Sequence, residues 1–393
     1  MKTGIPGQFA QTVSTSGLYR PAARVGSSRR TTYNPGKTCG RWSAPAGGET
    51  TIRTGDAESV LVTGASGFIG RHLVRRLIER GGRVSCLVRA TSRIDELRSS
   101  GAHLIVGDAT DRASVERALA ESQAVVVFHL AGLLRAVRTA DFARVNAGGV
   151  ESVAAACANR AERPVLIVVS SLAAAGPCVG DQPRVEGDSP APVSAYGRSK
   201  LAGELAASRH AGEMEITLVR PPIVFGPGDR GVLEMFRPIA RWGVHVVPGR
   251  RRRRFAMIHV SDLVDGLLVA AEQGERLHPN GPPGQGTYFI AAPEDPTYVE
   301  LGQAMATALG RHRPAAVCLP EPIMRLIGLC GDALVRVRRQ PGWVNSDKIA
   351  EALAGSWTCS SAKARRQLGW SPAATLADRL RETALWYRQA GWL

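Results

Sequence analysis

Short apolar segments alternate with longer segments of helical period from Ser59 onward. Residues 60–62 and 165–169 are apolar at every position, as expected for strands covered by helices on both faces. This alternation predicts an α/β fold built on a doubly wound parallel sheet. The predicted strands are Val60–Thr63, Arg83–Val88, His103–Val106, Ala124–His129, Val165–Ser170 and Ile216–Arg220.

The alternation loosens beyond Gly226, where loops lead to a strand near Tyr288–Ala291 and then to helices. We therefore predict a domain over residues 57–226 and a smaller C-terminal lobe, mainly residues 227–393, with some segments returning to the first domain. The segment Pro322–Arg338 is rich in apolar residues. It could dock on a membrane surface or cover an apolar site, but a buried helix of the small lobe requires fewer assumptions.

The chain has 393 residues, of which 44% are hydrophobic and 21% charged, so disorder throughout is excluded. No apolar run approaches the roughly 18 to 20 residues of a membrane-spanning helix, and the N-terminus lacks the apolar stretch of a secretory signal. We expect a cytoplasmic protein with no integral membrane segment. Its seven cysteines form no Cys-x-x-Cys pair, which predicts neither a disulfide framework nor a metal site.

The net charge of +16 is concentrated in two segments. Residues 1–56 have a net charge of +6, and Arg250–Arg254 supply five more positive charges. Because the rest of the chain is only mildly basic, we expect no nucleic-acid partner. Residues 1–56 are rich in Gly, Ser, Thr and Pro, which predicts a disordered basic extension. Organelle targeting by this extension stays open as an alternative.

A glycine-rich turn directly follows the first predicted strand. Gly64, Gly67 and Gly70 are spaced three apart and lead into a helical pattern over residues 71–80. In such turns the first glycine allows the tight bend, the second lets backbone amides approach a pyrophosphate, and the third allows close packing of helix on strand. With Ser66, Phe68 and Ile69 between them, these glycines predict a Rossmann-type dinucleotide site.

The end of the second strand bears on the choice between NAD and NADP. NAD sites place an acidic residue there, but this chain has Arg89, followed by Ser92 and Arg93. These side chains could receive a 2′-phosphate, so the sequence favours NADP, with NAD possible and a merely solvated Arg89 as the alternative. Asp108, followed by Ala109, ends the third strand, where it could meet the adenine or cap the next helix.

Tyr196 and Lys200 are four residues apart in a helical segment and therefore lie on one face. A nearby ammonium would lower the pKa of the tyrosine and make it an acid/base catalyst. This spacing also occurs on many helix surfaces, so the context matters. Ser171 follows the fifth strand at the edge where open α/β sheets bind ligands, and its hydroxyl could orient a reacting oxygen.

These motifs, in this order, resemble the extended short-chain dehydrogenases/reductases over about residues 58–393. The chain is most similar to the NAD(P)-dependent epimerase/dehydratase family, in the branch of dihydroflavonol reductases and 3β-hydroxysteroid dehydrogenases. The resemblance implies Tyr196 as acid/base, Lys200 as ribose ligand and Ser171 as the group that orients the substrate oxygen. It also implies further residues around the cofactor, namely Leu130, Ala131, Gly132, Asn146, Pro222, Ile223 and Val224.

We expect a hydride-transfer oxidoreductase that interconverts a secondary alcohol and a ketone on an apolar, sterol-, flavonoid- or lipid-like small molecule. Met235, Phe236 and Trp242 could form an apolar wall for this substrate or belong to the core. Dehydration is disfavoured, because apolar Leu172 and Ala173 follow Ser171. Arg250–Arg254 keep a sugar-nucleotide epimerase as the alternative, and a noncatalytic NADP sensor or RNA-binding factor is third. Relatives of this family often form dimers, so a homodimer is possible.

Overall fold

The computed structural model describes residues 58–249, 252–342 and 344–393. The predicted N-terminal extension, Arg250 and Arg251 lie outside this part of the chain. The strands are β1 Ser59–Thr63, β2 Arg83–Val88, β3 His103–Val106, β4 Val126–His129, β5 Val165–Val169, β6 Ile216–Arg220, β7 Ile223–Phe225, β8 Val244–Pro248, β9 Met257–His259, β10 Thr287–Phe289 and β11 Ala315–Leu319. The helices are α1 Phe68–Glu79, α2 Asp95–Ser99, α3 Arg112–Ser122, α4 Thr139–Phe142, α5 Gly148–Ala158, α6 Leu172–Ala175, α7 Ala195–Ser208, α8 Leu233–Trp242, α9 Val260–Gln273, α10 Tyr298–Ala308, α11 Glu321–Arg338, α12 Ser346–Leu353, α13 Ala362–Leu368 and α14 Leu376–Gln389.

Seven strands form one parallel sheet in the order β10-β6-β5-β4-β1-β2-β3. β1 lies in the middle of the sheet, and β2 and β3 are added on one side of it. β4 then pairs with the other side of β1, so the order in which strands are added reverses between β1 and β4. This reversal places a crevice at the carboxyl ends of β1 and β4, where open α/β sheets bind ligands. The predicted α/β Rossmann-type fold is confirmed, and β2, β3 and β6 have the predicted bounds.

Helices cover both faces of this sheet. One face packs on α1, α9 and α13 through residues such as Leu73 and Leu267. The other face packs on α3, α5 and α7 through residues such as Val115 and Val153. Because both faces are buried, β1 is apolar along most of its length, as the sequence pattern predicted.

Residues from the C-terminal half of the chain contribute both to this sheet and to further layers. β10 extends the sheet beside β6, while β8 pairs with β11 and β7 pairs with β9. Phe236 of α8 is fully buried, and its ring centroid lies 5.5 Å from that of Tyr387. Met235 packs against the same cluster, whereas Trp242 is 72% exposed. Of the two alternatives for these residues, the core applies to Met235 and Phe236, because α8 packs its apolar side on α10 and α14, and Trp242 lies outside that core.

The predicted burial of the 322–338 segment is also wrong. Helix α11 forms as expected, but only Met324 and Gly328 are buried. Much of its apolar surface faces outward, because the side that contacts α12 is narrow. Within the described residues, no helix combines the length and the hydropathy that crossing a membrane would need.

Candidate active site

The glycine turn between β1 and α1 leaves no room for side chains at two positions. Gly64 has φ of +72°, and a Cβ there would lie 2.5 Å from the backbone nitrogen of Ala131. A Cβ on Gly70 would lie 2.3 Å from the carbonyl oxygen of Gly64. Gly67 is exposed, and a Cβ there would approach only the Gly64 carbonyl, at 3.1 Å. The turn is therefore tight on its inner side and open on its outer side.

The outer side of this turn fits a pyrophosphate. Gly67 is the N-cap of α1 and supplies no capping side chain, so the first amides of the helix keep their hydrogen-bonding capacity for an outside acceptor. Ser66, Phe68 and Ile69 are half-buried beside it. Since the N-terminus of a helix favours negative charge, the residues present match the phosphate-binding part of a dinucleotide site.

The turn after β2 presents two arginines. The amide of Arg89 donates a hydrogen bond to Oγ of Ser92 at 3.2 Å, and the Ser92 amide donates to the Arg89 carbonyl at 2.9 Å. Arg89 and Arg93 are both exposed. Two guanidinium groups thus stand at a closed turn where an NAD site would carry a carboxylate.

Asp108 is held in place by its own turn. Its Oδ1 accepts hydrogen bonds from the amide and the hydroxyl of Thr110, both at 2.9 Å. The N-cap of α3 is Asp111, so the alternative role of Asp108 as cap of that helix is wrong. Asp108 and Ala109 are half-buried after β3.

Ser171 and Tyr196 meet directly. Ser171 caps α6, immediately after β5, and its side chain lies beside the phenol of Tyr196, where it lowers the pKa of that phenol. Tyr196 is only 5% exposed. Apolar side chains surround it, and the ring of Phe142 lies 6.1 Å from its own, centroid to centroid. The other members of this cluster are Ala173, Leu133, Ala136, Ala195 and Trp357.

Lys200 lies one turn further along α7 and points back to the sheet. Its Nζ donates a hydrogen bond to the carbonyl of Val169, at the end of β5, at 3.0 Å. Burial lowers the pKa of Lys200 to about 8. A Cβ on Gly132 would lie 3.1 Å from this Nζ, so the loop after β4 passes close to the amine. The structure therefore brings Ser171, Tyr196 and Lys200 to one edge of the sheet.

The pKa of Tyr196 differs from the sequence-based expectation. Burial raises this pKa, the hydrogen bond from Ser171 lowers it, and the carboxylate of Glu351 raises it further. The predicted lowering by Lys200 is absent, because the amine donates to a strand carbonyl and the phenol is shielded from water. In this state Tyr196 is protonated at neutral pH.

Asn146 supports the loop that carries Leu130, Ala131 and Gly132, the residues predicted to line the cofactor. It lies in a π-helical turn, Ala143–Ala147, and its Oδ1 accepts a hydrogen bond from the Leu133 amide at 2.7 Å. Its Nδ2 donates to Oγ of Ser199 at 2.9 Å, which ties this loop to α7. Leu130 and Ala131 follow β4 and lie against Gly64 of the glycine turn. Pro222 follows β6, and Ile223 and Val224 belong to β7.

A buried ion pair braces the two strands beside Ser171. The guanidinium of Arg220 binds the Glu204 carboxylate through two hydrogen bonds, of 2.8 and 2.6 Å. The Ser170 hydroxyl donates to the same carboxylate at 2.5 Å. These bonds join the ends of β5 and β6 to α7, so the position of Ser171 relative to Tyr196 depends on them.

Three residues of α12 surround the start of α7, and no sequence pattern indicated them. The Asp347 carboxylate accepts hydrogen bonds from the amides of Ala195, at 2.7 Å, and Tyr196, at 3.4 Å. Glu351 accepts from the Ser194 hydroxyl at 2.5 Å and pairs with Lys348 at 2.7 Å. The ammonium of Lys348 lies 4.8 Å from the centroid of the Tyr196 ring. An Asp-Lys-x-x-Glu segment on a short helix is too common to have been singled out by its pattern.

Comparison with known proteins agrees with this geometry. The model of the NAD dependent epimerase/dehydratase family matches residues 60–283. The chain belongs to this family. Its members are NAD-dependent by description, and the glycine turn of this member has the space and the amides that such a cofactor requires.

Similar proteins place this family member in the predicted branch. It is 34% identical over 341 residues to "Ceramide reductase" of Caulobacter vibrioides, which covers 86% of this chain and 97% of the relative. It is 28% identical over 371 residues to "3-beta-hydroxysteroid dehydrogenase" of Mycolicibacterium neoaurum, and this match covers 86% of this chain and 94% of that protein. Among solved structures, MoeE5 in complex with UDP-glucuronic acid and NAD is 25% identical, with a TM-score of 0.65. The match covers 84% of this chain and 99% of the MoeE5 chain. The predicted resemblance is confirmed, and the protein is an NAD(P)-dependent oxidoreductase.

Proposed function

We propose that this protein interconverts a secondary alcohol and a ketone on an apolar, lipid-like substrate, with NADP(H) as its cofactor. The observation that carries the proposal is that the Ser171 side chain lies beside the phenol of Tyr196, with Lys200 one turn away on the same helix and apolar side chains around the phenol. A hydroxyl that binds an oxygen next to a phenol that exchanges its proton is the arrangement that such a reaction needs.

The chain's own groups account for the proton in this reaction. A bound nicotinamide supplies or accepts the hydride at the substrate carbon. In ketone reduction, Ser171 donates a hydrogen bond to the carbonyl oxygen, and Tyr196 transfers its phenolic proton to that oxygen as the alcohol forms. Because burial raises the pKa of Tyr196, the phenol is held in its proton-donating form, which favours reduction at neutral pH.

The preference for NADP rests on the turn after β2. The exposed guanidinium groups of Arg89 and Arg93 and the hydroxyl of Ser92 match the charge and the oxygens of a 2′-phosphate. A ribose 2′-hydroxyl, by contrast, is normally held by a carboxylate at this place. We therefore propose NADPH as the reductant.

The apolar substrate follows from the surroundings of Tyr196 and from the relatives. Phe142, Leu133 and Trp357 pack around the phenol, so a substrate oxygen must reach it within an apolar environment. Two of the similar proteins are named for ceramide and for a 3β-hydroxysteroid, both of which are lipids. A sugar nucleotide would instead require charged groups for its diphosphate.

The arginine run gives limited support to the epimerase alternative. Arg253 donates to the carbonyl of Ala352 at 2.6 Å, and Arg254 donates to the carbonyl of Asp295 at 2.9 Å. Both guanidinium groups thus hold the backbone of neighbouring segments, which is a structural role for residues predicted to bind a diphosphate or to be solvated.

Substrate turnover tests the proposal. Purified full-length protein would be given NADPH or NADH with a long-chain keto amide, a 3-ketosteroid and a flavanone-type ketone, and cofactor oxidation would be followed at 340 nm. UDP-glucose with NAD serves as the test for epimerisation. We expect oxidation of NADPH with at least one lipid ketone. Conversion of UDP-glucose with no turnover of any ketone would contradict the proposal.

A further inference from the structure

Helix α11 carries an apolar face that points away from the protein. Six large apolar side chains are exposed over its 18 residues, and five of them recur at spacings that place them on one side of the helix, while the sixth, Leu329, lies at the edge beside Arg336. Leu326 is 60% exposed and Val337 is 81% exposed. We call this set the outer face of α11: Ile323, Leu326, Ile327, Leu334 and Val337.

The opposite side of α11 is already packed against α12. Met324 and Gly328 are buried there, and a Cβ on Gly328 would lie 3.0 Å from Cγ1 of Ile349. The Asp332 carboxylate accepts a hydrogen bond from the Ser346 amide at 3.2 Å. The helix is thus anchored by its inner side, and the outer face is a second apolar surface, which needs a partner of its own.

Arginines border the outer face on both edges. At about 100° per residue, Arg336 falls along one edge and Arg338 along the other. Arg325 lies on the same edge as Arg336, but it pairs with the Glu321 carboxylate at 2.6 Å, so Arg336 and Arg338 supply the net positive charge of the border. All three are exposed. An apolar strip bordered by arginines matches the boundary between the acyl chains and the anionic headgroups of a membrane, because the long side chains reach the headgroups while the apolar residues enter the acyl region.

We propose that α11 docks this protein on an anionic lipid bilayer, with its axis parallel to the membrane plane. The helix is about 27 Å long at 1.5 Å per residue, so the outer face can enter the interface along several turns. A second copy of the chain fits less well. A symmetric contact through the same faces would bring the arginine borders of both copies together.

The docked helix would lie close to the catalytic group. α11 packs on α12, and α12 holds the start of α7 through Asp347 and places Lys348 over the ring of Tyr196. The active site is therefore one helix removed from the membrane surface. The docking surface goes beyond the proposed reaction and does not depend on it.

Vesicle flotation tests this inference with the full chain. The vesicles would be phosphatidylcholine alone or an equal mixture of phosphatidylcholine and phosphatidylglycerol. We expect binding to the mixed vesicles. The partition coefficient of Leu326→Glu/Leu334→Glu should be at least about tenfold lower, because two leucines that enter the acyl region of the bilayer are lost. The matched control is Leu385→Glu on α14, since Leu385 is 57% exposed and lies outside α11. It should bind as the parent does.

Charge and insertion are separated by two further measurements. Arg336→Gln/Arg338→Gln should weaken binding to the mixed vesicles and leave the weak binding to pure phosphatidylcholine unchanged. An environment-sensitive fluorophore on Cys330, the exposed cysteine of α11, should shift to the blue when mixed vesicles are added. Both readouts are needed because the basic residues 1–56 could also attract anionic vesicles.

The overturning results are specific. Equal flotation of Leu326→Glu/Leu334→Glu and the parent would place the membrane contact elsewhere. Absence of vesicle binding, together with a dimer that this double variant converts to a monomer in sedimentation velocity, would assign the outer face to a second copy. Unchanged thermal unfolding of the variants shows that their fold is intact, and NADPH oxidation with a water-soluble ketone reports the reaction separately from docking.

Discussion

The ammonium of Lys348 lies 4.8 Å from the centroid of the Tyr196 ring and pairs at 2.7 Å with the carboxylate of Glu351. A cation and an anion from one turn of α12 thus act on the same phenol with opposite sign. The carboxylate of Glu351 raises the pKa of Tyr196. A positive charge near a phenol acts in the opposite direction, so we expect the ammonium of Lys348 to oppose this effect. The protonation of Tyr196 is therefore influenced by a helix far from it in sequence.

Substitutions at these two positions should move the pH profile of alcohol oxidation in opposite directions. Glu351→Gln removes the negative charge, so the pKa of Tyr196 falls and the midpoint of the rise in rate moves to lower pH. Lys348→Met leaves the carboxylate without its ammonium, so the midpoint moves to higher pH. Each shift should be about one unit. The measurement is kcat against pH, and shifts of the same sign in both variants would contradict the assignment.

Lys200 should give the free enzyme an ionisation near neutral pH. Burial lowers its pKa to about 8, so its positive charge is present below that pH and is lost as the pH rises through it. If this charge assists reduction, kcat/KM for ketone should fall above about pH 8. In Lys200→Arg the guanidinium stays charged, and the fall should disappear from that range. Persistence of the same fall in the arginine variant would show that another group causes it.

The cofactor preference should depend on the arginine at the end of β2. Arg89→Asp places a carboxylate where a 2′-phosphate is expected and should raise the Kd for NADPH by at least about tenfold, as the loss of one charge-assisted hydrogen bond predicts. The Kd for NADH should change little. Quenching of intrinsic fluorescence measures both, with Arg83→Asp at the start of the same strand as the control. Equal losses for the two cofactors would remove the argument for NADP.

The buried pair of Glu204 and Arg220 should matter for stability. Glu204→Ala leaves the Arg220 guanidinium buried without its carboxylate and deprives the Ser170 hydroxyl of its acceptor. We expect the free energy of unfolding in urea to fall by about 3–5 kcal/mol. The exposed pair of Arg237 and Glu234 is the control. Glu234→Ala should change the free energy of unfolding by less than about 1 kcal/mol. Similar values for both variants would mean that the buried pair is replaceable.

Local patterns predicted the sheet and singled out the side chains that the proposed reaction uses. The apolar run of β1, the spacing of Gly64, Gly67 and Gly70, and the four-residue step from Tyr196 to Lys200 are all set by neighbours in sequence. Asp347 and Tyr196 are 151 residues apart, and no period in the sequence connects positions at such a distance. The pKa of Tyr196 was predicted with the wrong sign, because burial and Glu351 are both consequences of tertiary packing.

The two faces of α11 show the same limit. Its sequence predicted an apolar helix, but the side that packs inward is decided by Gly328, which lets α11 approach α12, and by Gly331, which lets it approach the segment before α12 at Val344. The larger apolar residues were expected inside and lie outside. A pattern of apolar positions thus predicted the helix and left its buried side undetermined.

The central claim is that Tyr196 is the proton donor and acceptor of the reaction. The most direct measurement is the single-turnover rate of Tyr196→Phe with a ketone that the parent reduces, together with its Kd for NADPH. Removal of a general acid should lower the rate by about 10²- to 10⁴-fold while the Kd stays within about twofold of the parent. A variant that binds NADPH normally and reduces the ketone at the parent's rate would contradict the account.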